Sequence, residues 1–249
     1  MSAPREAPDP NHLPPLTDRT RADAQAIIGR YPEQPRSALL PLLHLVQAEQ
    51  GHVSAEGVAF CADILGLTHA EVGAVVTFYT MYKRMPAGDF LVSVCTNTLC
   101  GLLGGDEIYA GLTAKLGVGH NETTADGTIT LEHAECLAAC DYAPVVTVNY
   151  EFYDQQSVES ASALVDELRA GRRPAPSRGA PLGTFRQIER QLAGFVDVDA
   201  EAVHSGAAGE PTLVGVRLAA ERGETAPSYD PQTPIPSVPV TDESAGKKS

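Results

Sequence analysis

"VCTNTLC" (Val94–Cys100) and "ECLAAC" (Glu135–Cys140) decide how this chain folds, because each holds two of its five cysteines. Four residues separate the first pair, Cys95 and Cys100, and three separate the second, Cys136 and Cys140. The first pair ends a strand-like run, "DFLVSVC" (89–95). The second lies between two more, "GTITLEH" (127–133) and "PVVTVNYEFY" (144–153), which are expected to be antiparallel neighbours. "GGDEIYAGLTAKLG" (104–117) reads as a helix. "SVESASALVDELRAG" (157–171) reads as an amphipathic one, with Val158, Ala161, Leu164, Val165 and Leu168 inward. The order β-α-β-β-α, with its first strand running straight into a cysteine loop, is thioredoxin-like. In such a unit the loops after the strands can converge at one edge of the sheet and bring four thiols together.

Four convergent soft ligands suit Zn²⁺ or an iron–sulfur cluster. The spacing favours the cluster. Structural zinc is usually held by tight two-residue knuckles, though wider gaps occur, and a four-residue gap belongs to the ligand run of plant-type [2Fe–2S] ferredoxins. A thioredoxin-type dithiol is disfavoured because Cys-x-x-Cys is absent. The remaining thiol, Cys61 in "GVAFCADIL", sits on an apolar helical face and reads as core. His133 reads as a strand-end residue, although an imidazole-ligated iron is conceivable so close to Cys136. His44 and His52 read as a helix-face and a turn group.

Upstream of the cysteine region the periodicity is helical, from about residue 20 to 82. "SALLPLLHLVQAEQG" puts Leu39, Leu42, Leu43, Val46 and Gln47 on one stripe, confines Pro41 to the first turn and offers Gly51 as a C-terminal cap. Ser54 caps "AEGVAFCADILG", and Thr68 with Glu71 forms a capping box before "VGAVVTFYTMY". Phe78, Tyr79 and Tyr82 are spaced as a helical packing face. The division expected is a Pro-rich, disordered 1–16, a helical bundle over 17–86, a thioredoxin-like domain over 87–172, and a Pro-rich extension over 173–249. The extension holds one short helix candidate, "TFRQIERQLAGF", and otherwise crosses a partner or stays disordered. The fold class is α+β.

A net charge of −14 argues against nucleic-acid binding, which needs clustered Lys and Arg. No run of about 18 apolar residues is present, so no membrane insertion is expected. The start "MSAPREAPDPNHLPPL" lacks the pattern of a signal peptide, which suggests a cytoplasmic setting where clustered thiols bind metal rather than pair. "GLLGG" is no dinucleotide fingerprint and no acid–base constellation emerges, so no catalytic residue is expected in this chain.

Several segments together, "YPEQPRSALLPLLHLVQAEQGHVS", "VVTFYTMYKRMPAG", "VCTNTLC", "ECLAACDYAPVVTVN" and the Thr124–Asp126–Gly127 turn, resemble one family over about residues 20–170. It is the thioredoxin-like [2Fe–2S] subunits of NADH-quinone oxidoreductase, respiratory complex I, of the E-subunit type. The resemblance implies one [2Fe–2S] cluster, with Cys95 and Cys100 on one iron and Cys136 and Cys140 on the other. It implies single-electron exchange with FMN in an adjacent NADH-binding subunit, which carries FMN and NADH itself. A neighbouring iron–sulfur subunit of complex I is a further expected partner, on the cytoplasmic side of the bacterial plasma membrane. The equivalent subunit of an NAD-linked hydrogenase or formate dehydrogenase uses the same module, and a zinc-stabilised interaction module is the rival from another class. Two positions depart from the family pattern: Leu99 stands where relatives commonly have Pro, and Ala138 where they commonly have Gly.

A cluster held by four thiolates is doubly negative before it accepts an electron. In a chain this acidic, a low-potential centre is expected unless amide dipoles compensate. The donors available are the backbone N–H groups of Thr96–Leu99, Gly101–Leu102 and Leu137–Ala139, with glycines letting the chain approach closely.

Overall fold

The computed structural model describes residues 13–195, 209–225 and 232. The helical part comprises α1 (Asp18–Ile28), α2 (Leu39–Gln50), α3 (Ala55–Leu65) and α4 (His69–Phe78). Its boundaries follow from local chemistry. Ser54 accepts a hydrogen bond from the Gly57 N–H at 3.0 Å, and Thr68 and Glu71 cap α4 reciprocally. Gly51 (φ 78°) and Gly66 (φ 65°) end α2 and α3 in the left-handed conformation. Pro41 falls in the first turn of α2, where its missing N–H costs nothing. Ile27, Leu42, Leu43, Leu45, Val46, Cys61 and Val72 form the core of this part, all fully buried. Of the expected aromatic face only Tyr82 is buried, at 3% exposed; Phe78 is 76% exposed.

The sheet is built from β1 (Phe90–Cys95), β2 (Glu122–Thr123), β3 (Ile129–Ala134), β4 (Val146–Val148) and β5 (Glu151–Tyr153), in the order β2-β3-β1-β4-β5. Here the structure corrects the sequence reading. The segments at 127–133 and 144–153 are not neighbours, because β1 lies between them, parallel to β3 and antiparallel to β4. Every residue of β1 is buried, and a strand buried along its whole length belongs in the middle of a sheet. The second segment is not one strand but a hairpin, β4–β5. It turns at Asn149 (φ 47°) and Tyr150 (φ 70°), a turn that "NY" announces far less clearly than Asn-Gly would.

Helices α5 (Thr98–Leu102), α6 (Gly105–Leu116) and α7 (Val158–Arg169) complete the unit. The crossover from β1 to parallel β3 runs through α6, since parallel strands cannot be joined by a tight turn. α6 and α7 cover one face of the sheet, onto which Val92, Val94, Ile129, Leu131, Val146 and Val148 point. The alternate positions, Ser93, Thr130, Glu132 and Thr147, look the other way into a cleft of about 880 Å³ bordered by residues 79–87. Lys83 and Glu132 pair within it, and Ser93 donates to Glu132 at 2.6 Å.

From residue 173 the chain returns across the helical part. α8 (Phe185–Leu192) packs on α2, which explains why α2 is buried on nearly all sides rather than on one stripe. His44, on the face of α2 that meets α8, is buried. Its Nδ1 lies 2.6 Å from Oε2 of Glu189, whose side chain is wholly buried, and the Tyr150 hydroxyl donates to Oε1 at 3.1 Å. Asn149, also fully buried, donates to the carbonyls of Asp89 and Gly183 and accepts from the Leu91 N–H. The segment around α8 thus fastens the β4–β5 turn to the helical part. A separate unit holds α9 (Glu210–Arg222), which has no buried residue and ends at Gly223. The expected disorder falls mostly on residues 1–12, 226–231 and 233–249, outside the described ones. Leu16, at the end of the expected disordered N-terminus, packs on the helical core.

Candidate metal centre

The topology explains why the two cysteine pairs meet. Cys95 is the last residue of β1, beside Ala134 at the end of β3. Because β3 and β4 flank β1, the chain between them must pass over the C-terminal end of β1, and that passage is "ECLAACDYAPV". Thr96 N–H donates to the Ala134 carbonyl at 3.1 Å, and Cys95 N–H donates to the Val145 carbonyl at 3.1 Å. Cys95, Cys100, Ala139 and Val145 form one small buried cluster, with Leu137, Tyr142 and Phe152 against it.

Cys100 is carried inward by α5, a short helix where the sequence reading expects only a cysteine loop. Its thiol lies against Cys95, and both are 3% exposed. Burial, and then the neighbouring Cys95, push the Cys100 thiol up to about 11, opposed by a hydrogen bond from the Val145 N–H to its sulfur. Gly105, the first residue of α6, packs so closely that a Cβ there would stand 2.4 Å from the Cys95 carbonyl oxygen. Any side chain at that position would displace the ligand loop.

The second pair is held differently. Cys136 and Cys140 are exposed, their sulfurs 3.7 Å apart. Two thiolates bound about 2.3 Å from one tetrahedral metal stand about 3.8 Å apart, so this pair has the bite of two ligands on a single metal. Ala138 N–H donates to Cys136 Sγ at 3.4 Å, one of the amide donors expected from the sequence. The turn that aims this N–H puts Ala138 at φ 58°, a conformation natural to Gly. Gly, which the family resemblance leads one to expect at this position, would adopt it without strain. Leu99 occupies the second position of α5, within the first turn, where proline is tolerated.

Four soft thiols in two pairs are a donor set that fits a two-iron cluster. The thiols form two pairs, and among the described residues no three His, Cys, Asp or Glu side chains gather around one point. All five cysteines are free thiols. Cys61 stands apart, fully buried in the helical core, its thiol pushed up to about 12 by desolvation. His133 is exposed at the end of β3, stacked on His120 with ring centroids 4.1 Å apart. The Val145 N–H was missed from sequence, because only the antiparallel pairing of β4 with β1 carries it to Cys100.

Known proteins resemble this chain at the level of the family. Residues 24–169 match the family model described as thioredoxin-like [2Fe-2S] ferredoxin. The E-type subunit of NADH-quinone oxidoreductase from Mycobacterium tuberculosis is 56% identical over 225 residues, 90% of this chain and 86% of that one. Its counterpart from Rickettsia prowazekii is 40% identical over 148 residues, 58% of this chain and 82% of that one. Among solved structures, an air-oxidized NAD+-reducing [NiFe]-hydrogenase aligns with TM-score 0.48 and 20% identity, over 53% of this chain and 23% of that one. The match to the family model spans the helical part, the sheet and both cysteine pairs: this chain belongs to the thioredoxin-like [2Fe–2S] ferredoxin family.

Proposed function

We propose that this chain is an electron-transfer subunit of an NADH-quinone oxidoreductase, with one [2Fe–2S] cluster held by Cys95 and Cys100 on one iron and Cys136 and Cys140 on the other. The observation that carries the reading is the meeting of two thiol pairs over the end of β1, one buried and one exposed. When bound, the cluster supplies one-electron chemistry. The protein's part is to fix the thiols, to exclude water from the Cys95–Cys100 side and to aim amide donors at sulfur. Val145 N–H serves Cys100 and Ala138 N–H serves Cys136. Hydrogen bonds to the sulfurs favour the more negative reduced state, and solvent at the exposed pair does the same.

The electron is exchanged with FMN in an adjacent NADH-binding subunit, where the hydride step takes place; a neighbouring iron–sulfur subunit completes the surroundings. The complex lies at the cytoplasmic side of the plasma membrane. Among the described residues no helix is long and apolar enough to cross a membrane. The helical bundle (17–86) and the cluster domain (87–172) form the working unit, with the segment around α8 as its internal brace.

Iron and acid-labile sulfide analysis, with EPR of the dithionite-reduced protein, tests the reading. Two irons and two sulfides with a reduced-state signal are expected; one zinc and no sulfide would sink it. Co-purification with nickel- or molybdenum-containing subunits would move the chain to a hydrogenase or formate dehydrogenase.

A further inference from the structure

We propose that Arg178 is a positioning residue for the cluster: it clamps Tyr142, and through it the turn that carries Cys140, against the buried pair. The proposal rests on the electron-transfer reading and adds a residue from beyond the matched family region, which ends at residue 169. Residues 177–180 run as a strap along β5, the last strand in the sheet order. Ser177 N–H donates to the Phe152 carbonyl at 2.8 Å, and the Ser177 hydroxyl accepts from the Asp154 N–H at 2.9 Å. Arg178 itself forms an isolated antiparallel bridge with Phe152. An edge strand offers unpaired backbone groups on its outer side, and the strap takes them up. The backbone of Arg178 is thereby fixed beside the two aromatic rings.

The guanidinium carbon of Arg178 lies 4.3 Å from the Phe152 ring centre and 4.8 Å from that of Tyr142, so one planar cation joins two rings. Its Nη2 donates to Oδ1 of Asp154 at 3.1 Å. Its Nε is buried with no hydrogen-bond partner among the described residues. An unsatisfied buried donor calls for a reason, and the two aromatic faces supply it. Both rings pack on the small core that contains Cys95 and Cys100. Tyr142 ends the short helical turn Cys140–Tyr142, and its N–H donates to the Ala139 carbonyl at 2.9 Å. Holding Tyr142 therefore holds the exposed ligand loop to the buried pair. The position also matters for charge. Across residues 94–107 and 135–145 the charged side chains are Asp106, Glu107, Glu135 and Asp141, with no Lys or Arg. Arg178 brings a cation from outside both stretches to a loop that its own neighbours make acidic. Without it, Asp154 and an added electron would both lack this counter-charge, and reduction would become harder.

The test uses the full-length, cluster-loaded chain, with a redox titration followed by EPR and the bleaching of visible absorbance in excess EDTA. Arg178→Met is expected to lose its iron about fivefold faster, as the loss of a cation–π contact implies, and to shift the midpoint potential downwards. Arg178→Lys keeps a cation without the planar stacking, so it should restore the potential but not the rate of iron loss. Urea unfolding of the same loaded proteins, followed by circular dichroism, reads any general effect on the fold. If the wild-type chain holds no two-iron cluster, the proposed function itself fails. If it does, and Arg178→Met keeps the wild-type potential and rate, the positioning role alone is overturned. That role is overturned too if the potential stays unchanged and faster iron loss merely follows lost stability in urea, since Arg178 would then serve the fold alone.

Discussion

The two cysteine pairs, proposed to share one cluster, occupy opposite structural positions. Cys95 and Cys100 are 3% exposed, one ending the central strand and the other turned inward by a helix packed against Gly105. Cys136 and Cys140 sit on an exposed passage whose shape depends on one residue in the left-handed region. The first pair is a fixed anvil. The second can adjust, and it is the side on which charge is most easily solvated.

Substituting one thiol from each pair gives the largest effect and the most direct way to break this comparison. Cys100→Ser should purify essentially free of iron, because a buried serine oxygen has no room to approach a metal that oxygen binds at shorter range than sulfur. Cys140→Ser should keep a fraction of the cluster with altered EPR g values, since its loop can move. Equal loss in iron analysis would end the distinction between the pairs.

The anvil has a support that can be removed from a distance. Glu189 holds Tyr150 at one end of β4, while Val145 at the other end touches Cys95 and Cys100. Burial and then the Glu189 charge raise the Tyr150 phenol well above its ordinary value, so it remains a donor to that carboxylate. Glu189→Ala leaves His44 and Tyr150 without this partner and should cost about 3 kcal/mol in urea unfolding. Glu189→Gln, which keeps an acceptor, should cost less. If Glu189→Ala unfolds like the wild type, the brace is not one.

At the adjustable pair, Ala138→Gly should stabilise the protein by about 1 kcal/mol, by relieving the left-handed strain. The same substitution in a position without positive φ would destabilise, so chemical denaturation reads the sign directly. The last effect concerns the thiol outside both pairs and emerges only in alkali. Desolvation raises Cys61 in the folded state to about 12, whereas an unfolded thiol ionises at about 8.5. Its contribution to stability is fully present below the unfolded value and is lost as pH rises towards the folded one. A fall in melting temperature between about pH 9 and about pH 12, smaller in Cys61→Ala, would show it.

Much of the fold was legible because it rests on local chemistry. The caps at Ser54 and Thr68, the glycines ending α2 and α3 and the inward stripe of α7 are each decided within a few residues, and the structure repeats them. Strand order was not legible, since nothing in "GTITLEH" or "PVVTVNYEFY" records that β1 stands between them. Nor was the role of α8 visible: "TFRQIERQLAGF" announces a helix, but not that its Glu189 meets His44 145 positions away in sequence. The burial of His44 followed from the same long-range contact.

At the proposed centre, the sequence by itself determined the donors on offer: four thiols in two spaced pairs, with a spacing that favours a cluster and leaves zinc open. Those are properties of residue type and short spacing, which the chain carries into any fold. Only the tertiary structure decided which pair is buried and which amide reaches Cys100. The reason is that β3 and β4 flank β1, so the chain between them has to cross its end, and burial and hydrogen bonding follow from that crossing.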